Sequence, residues 1–121
     1  MILVDTSVWI DHFRTDNATL AGLLDGGHVL THPYVLGELA LGQIRQRQVI
    51  LTALSDLPCA QVATHAEVLS FIERAALFGR GIGYVDVHLL AAARLTSGAV
   101  LWTKDSRLRG VAEELGLAMK L

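Results

Sequence analysis

Four acidic residues, Asp5, Glu38, Asp86 and Asp105, are spread along a short apolar chain, each beside a segment that reads as a strand end or a helix start. A carboxylate is costly to bury alone, so four facing one cleft would raise one another's pKa until a cation neutralised them. All-oxygen donors suit Mg2+ or Mn2+ better than zinc, because hard ions choose carboxylate and water. Such an ion favours deprotonation of a water and offsets charge on a leaving oxygen, which is what phosphodiester hydrolysis requires. Each acid taken singly also has an ordinary explanation. Asp86 at a helix start is stabilised by the helix dipole, Glu38 reads as an exposed helix residue, and Asp105 before Ser106 suits an Asx turn. Asp5, directly after a buried run, points to function by itself. Thr6, Ser7 and Thr103 adjoin the acids and are expected to orient them, although Thr6 or Ser7 also suits a helix cap and Thr103 a strand. Asp11 reads as solvated.

The elements that must position these groups follow from apolar periodicity. Ile2-Leu3-Val4 is a strand buried on both faces, and a helix follows from Thr6 or Ser7. Ala18 to Leu24 reads as a helix closed by Asp25-Gly26-Gly27, and His28 to Thr31 as a second strand. Pro33 opens a helix expected to reach about Gln46, with Val35, Leu36, Leu39 and Ile44 on its apolar face and Glu38 on an early turn. A short helix over Val49 to Leu54, a weak strand over Ala60 to Ala63 and a helix over Glu67 to Phe78 come next. Gly79 to Gly83 must be a loop, three glycines in five residues opposing regular structure. From Asp86 to about Ser97 the chain reads as a helix apolar all round, hence buried. Ala99 to Thr103 is a core strand, Lys104 to Arg109 a loop, Val111 to Leu115 a short helix and Leu117 to Leu121 a last strand. This alternation predicts an α/β fold with a parallel sheet between helical layers, in which functional residues gather beyond the carboxyl ends of the strands.

At 121 residues the chain fits one domain spanning residues 1–121. Its composition, 52% hydrophobic and 18% charged, predicts a large core or an apolar surface kept for a partner, and so an oligomer. The most apolar stretch, Ile82 to Trp102, is interrupted by Asp86, His88 and Arg94, which argues against a membrane span. Met1-Ile-Leu-Val-Asp5 shows no basic leader or cleavage site, so the expected location is the cytoplasm. The lone Cys59 excludes an internal disulfide and a cysteine-rich zinc cluster, and reads as core packing. His12, His28, His32, His65 and His88 have no metal-ligand spacing and read as structural or surface groups. A net charge of −2 offers no global attraction to a polyanion, so nucleic-acid binding would need local cations or metal. Arg80, Lys104 and Arg107 are candidates for phosphate contact, with Arg45, Arg47 and Arg109 weaker ones, and Tyr84 for stacking on a base; Trp9 is weaker and Trp102 reads as core.

The segments DTSVW at Asp5, ELALG at Glu38, DVHLLAAA at Asp86 and TKDSRL from Thr103, in this order and spacing, resemble those of the PIN-domain nucleases, and especially the VapC toxins of bacterial toxin–antitoxin pairs. The resemblance spans essentially the whole chain and departs at Leu108, where the family often has Phe. It implies a three-layer α/β/α sandwich with a central parallel sheet. It also implies a Mg2+- or Mn2+-dependent endoribonuclease that cuts single-stranded regions of structured RNA, with Asp5, Glu38, Asp86 and Asp105 as both catalytic and metal-binding quartet. A homodimer and an inhibitory antitoxin are further expectations, with DNA bound only through the antitoxin. Two rivals fit less well: a phosphoacceptor receiver needs an Asp after the third strand, where Thr64-His65-Ala66 stands, and a haloacid-dehalogenase-like phosphatase needs one at Ser7. A non-catalytic protein-binding member, using the Val35, Leu39 and Leu41 face, and a housekeeping nuclease without antitoxin are the remaining alternatives.

Overall fold

The computed structural model describes residues 1–120. Its elements, in order, are β1 (Ile2–Val4), α1 (Thr6–Thr15), α2 (Ala18–Asp25), β2 (Val29–Leu30), α3 (Pro33–Ala40), α4 (Arg47–Ser55), α5 (His65–Arg74), α6 (Tyr84–Leu95), β3 (Val100–Trp102) and α7 (Ser106–Glu114). Leu3 and Val4 point to opposite faces of β1 and are both fully buried, so helices cover the sheet on both sides. This is the expected three-layer α/β/α arrangement. β1 lies between β2 and β3, parallel to each, with Ile2 opposite Val29 and Val100, and Val4 opposite Trp102.

Two of the five expected strands shrink to single parallel bridges, Thr31 with Cys59 and Leu101 with Ala118. On the first edge Pro58 has no N–H to offer and the Gln61 N–H turns to the Thr96 hydroxyl at 2.9 Å, so the ladder stops after Ala60. Cys59, expected in the core, is exposed on this edge. On the other edge Leu101 is gripped by Leu117 and Met119 at 2.6 and 2.9 Å; Leu121, the end of that expected strand, lies outside the described residues. With these edge segments the sheet runs outward from β1 in both directions, which makes the carboxyl end of β1 a topological switch point.

Residues Val87 to Ala93 of α6 are all buried, as the all-round apolar pattern requires, and the helix packs on β3 and α5. α3 ends at Ala40 rather than Gln46: Arg47 donates to the Ala40 carbonyl at 2.7 and 3.1 Å, Gln46 takes a left-handed φ of 54°, and α4 starts afresh. α5 starts earlier and ends sooner than the expected Glu67 to Phe78, because Thr64 and Glu67 cap its first turn reciprocally and Ala76 turns to a φ of 50°. The Lys104 to Arg109 loop is largely helix, since Asp105 caps α7. Val35 and Leu39 are buried within the chain, so of the expected protein-binding face only Leu41 stands exposed. Among the described residues no helix is long and apolar enough to cross a membrane.

Candidate active site

Asp5 continues the β1 ladder by one bond, its N–H donating to the Trp102 carbonyl at 2.9 Å, and then turns the chain into α1. Asp5 is 7% exposed. The Oδ2 atom accepts from the Ser7 hydroxyl at 2.7 Å and the Thr103 hydroxyl at 2.8 Å. Thr103 Oγ1 also accepts from the Asp105 N–H at 3.1 Å, and Ser7 Oγ from the Lys104 N–H at 3.0 Å, so both hydroxyls lock the end of β1 to the end of β3. Thr6 donates to Glu38 Oε1 at 2.7 Å, tying α1 to α3. All three hydroxyls therefore serve acids; Asp5 occupies the α1 cap position, with no side-chain capping bond.

Asp105 Oδ1 accepts from the backbone of Arg107 and Leu108 at 2.9 and 3.0 Å, so the turn-forming explanation holds for that oxygen. Asp86 sits in the first turn of α6, its Oδ2 accepting from the Gly83 N–H at 2.9 Å. Burial raises its pKa first; the Gly83 bond opposes this, and the charges of Asp5, Asp105 and Glu38 each raise it further. Segments far apart in sequence thus bring the carboxylates of Asp5, Glu38 and Asp105 within reach of Asp86.

In each acid one oxygen is held by the chain, while the other, Oδ1 of Asp5 and Asp86, Oδ2 of Asp105 and Oε2 of Glu38, has no hydrogen bond among the described residues. Among those residues no three His, Cys, Asp or Glu side chains are drawn together tightly enough to enclose an ion directly.

The basic candidates fare differently. Arg80 is paired with Glu114 of α7, and Lys104 Nζ with Asp11 Oδ2 at 3.0 Å, so both ammonium and guanidinium charges are already engaged. The Lys104 bond holds Asp11, expected to be merely solvated, below the usual carboxylate range. Arg107 lies over Gly81, where an added Cβ would come within 2.8 Å of its guanidinium. Trp9 is buried and stacked on Phe13, and Trp102 is core. Tyr84, expected on the loop, opens α6 instead, its hydroxyl hydrogen-bonded to His65 Nδ1 at 2.6 Å. Sequence reading passed over Tyr34, although it stands four residues before Glu38 and hence on the same side of α3. His32 and His88, which no spacing rule marks and which read as structural or surface groups, are both buried. Burial pushes His32 down to about 4, helped by His88, and lowers His88 too, with a smaller contribution from His65.

The profile of the PIN domain matches residues 2–114. The chain belongs to the PIN-domain family. Ribonuclease VapC32 of Mycobacterium tuberculosis, in strain CDC 1551 / Oshkosh and in strain ATCC 25618 / H37Rv, is 50% identical over 119 residues, covering 98% of this chain and 96% of the relative. The likeness to PIN-domain nucleases and to VapC-type toxins, read from four short acidic segments, is therefore borne out over nearly the whole length. Within this PIN domain Asp5 follows β1, Glu38 lies on α3, Asp86 lies in the first turn of α6 and Asp105 caps α7.

Proposed function

We propose that this chain, as a single domain over residues 1–121, is a metal-dependent endoribonuclease that hydrolyses phosphodiester bonds in single-stranded regions of structured RNA. In this reading it is the toxin of a VapBC-like pair, acting in the cytoplasm as a homodimer and restrained by its antitoxin. The observation that carries it is the convergence of Asp5, Glu38 and Asp105 on Asp86, whose pKa their charges raise, in a chain half identical to relatives named as ribonucleases.

Asp5, Asp86 and Asp105, with Glu38, would hold Mg2+ or Mn2+ through the oxygens left without hydrogen bonds. When bound, the ion supplies positive charge that favours deprotonation of water and offsets charge building on the phosphate. Ser7 and Thr103 fix the Asp5 carboxylate, and Thr6 fixes that of Glu38, so the ligands are oriented before substrate arrives. Desolvation and the neighbouring acids raise the pKa of Asp86, a tendency that a bound cation would oppose. Arg107 and Tyr84 are the RNA contacts this reading retains, with Arg80 and Lys104 able to join only by leaving their acidic partners. A groove of about 590 Å³ beside Glu38, lined by Ile10, Phe13, Leu39, Ile44 and Ile50, suits an apolar segment of the antitoxin. Incubation of purified protein with RNA and Mn2+ tests the reading. It expects cleavage that Asp5→Asn abolishes; intact RNA with the unsubstituted protein would leave a binding role in its place.

A further inference from the structure

Tyr34, Tyr84, His65 and His88 form an aromatic cluster that hydrolysis by the acids does not use. His88 of α6 is 1% exposed, and neither of its ring nitrogens has a hydrogen-bond partner among the described residues. Its ring instead meets two phenols edge to face: Tyr34 with centroids 4.6 Å apart and Tyr84 with centroids 4.7 Å apart, at interplanar angles of 65° and 79°. Both tyrosines keep an open side, at 38% and 43% exposure.

Exposed phenols ordinarily turn freely, but these two are held. The Tyr34 ring packs edge to face on His32, centroids 5.3 Å apart, and Tyr84 is tethered through its hydroxyl to His65. The elements that carry them also carry the acids, Tyr34 one helical turn before Glu38 on α3 and Tyr84 two residues before Asp86 on α6. A buried imidazole that makes no hydrogen bond is a poor stabiliser, so its use here as a seat for two half-open rings calls for another reason.

We propose that Tyr34 and Tyr84, seated on His88, form a stacking platform for an unpaired nucleobase beside the carboxylates, and so select RNA in which a base has left its helix near the scissile phosphate. This rests on the ribonuclease reading of the acids. Every base has a π-face, so fixed aromatic rings bind unpaired nucleotides with little regard to sequence, whereas a base inside a duplex is covered by its neighbours. Rings already immobilised lose little freedom when a base docks. Charge is a weak alternative source of affinity, with a net charge of −2 and Arg80 and Lys104 paired to acids.

The test is fluorescence anisotropy of a labelled single-stranded oligoribonucleotide without divalent ions, followed by cleavage of the same strand with Mn2+. Tyr34→Ala and Tyr84→Ala should each weaken binding about 5- to 150-fold, and the phenylalanine replacements should restore most of it. With the unsubstituted protein, moving one abasic residue along the strand should find a position that weakens binding to a similar degree, a result independent of how any variant folds. Binding indifferent to the abasic residue at every position overturns the platform. Cleavage that both alanine variants perform with unchanged kcat and KM overturns it alone, while RNA left uncut by the unsubstituted protein overturns the ribonuclease reading beneath it. Alanine variants that bind RNA normally but lose a protein partner would assign the tyrosines to that partner and also overturn the platform.

Discussion

His32 gives the fold a specific weakness to acid. An unfolded histidine takes up a proton near pH 6.5, but burial holds folded His32 neutral until about pH 4, so between these values the unfolded chain binds the extra proton. Stability is therefore full above the higher value and falls as pH drops through the window, by roughly 2–3 kcal/mol between pH 7 and pH 4.5 from this group alone. His32→Asn isolates the effect: asparagine does not titrate, and its side-chain oxygen can still accept the Tyr34 N–H that His32 Nδ1 now caps. The variant should be less stable at pH 7, having lost the ring packed on Tyr34 and His88, yet its stability should decline less steeply with acid. Urea unfolding followed by far-ultraviolet circular dichroism at half-unit steps from pH 7 to pH 4.5 measures both curves. Carboxylates titrate in both proteins and drop out of the difference. Curves that run parallel across the window would refute the reasoning.

Asp105 has separable duties, since Oδ1 caps α7 while Oδ2 is left for other work. Asp105→Ala should lower stability by about 1 kcal/mol in urea unfolding, whereas Asp105→Asn should keep the cap and lose RNA cleavage. Thr103→Val removes the one hydroxyl shared by Asp5 and the Asp105 N–H, and cleavage should fall about 10- to 100-fold with Thr103→Ser restoring it. Gly81→Ala adds a Cβ at a φ of +78°, facing Arg107, and should lower the thermal midpoint by an amount equivalent to about 1–2 kcal/mol.

The parts of the fold that periodicity made legible are those where one face decides: β1, β3 and the wholly buried α6. The parts it blurred turn on single hydrogen bonds. Nothing in the Pro33 to Gln46 pattern announces that Arg47 reaches back to Ala40, and nothing in Lys104-Asp105-Ser106 distinguishes a loop acid from a helix cap. The family was legible from the order of the four acidic segments; the hydrogen bonds of the acids were not, because Ser7 and Thr103 meet at Asp5 only after β1 and β3 pair. The phosphate contacts were least legible. Arg80 and Lys104 look free in sequence, but each finds an acid brought to it by folding, Glu114 from α7 and Asp11 from α1. His88 and Tyr34 are hidden for a related reason: the sequence separates them, and only the fold puts their rings together.

Calorimetric titration of Mn2+ into the purified chain, beside Asp5→Asn and Asp86→Asn, bears most directly on whether these carboxylates hold an ion. Saturable uptake by the unsubstituted protein, weakened at least about tenfold in each variant, is the predicted result. Equal uptake by all three proteins, or none by the unsubstituted one at millimolar Mn2+, would contradict it.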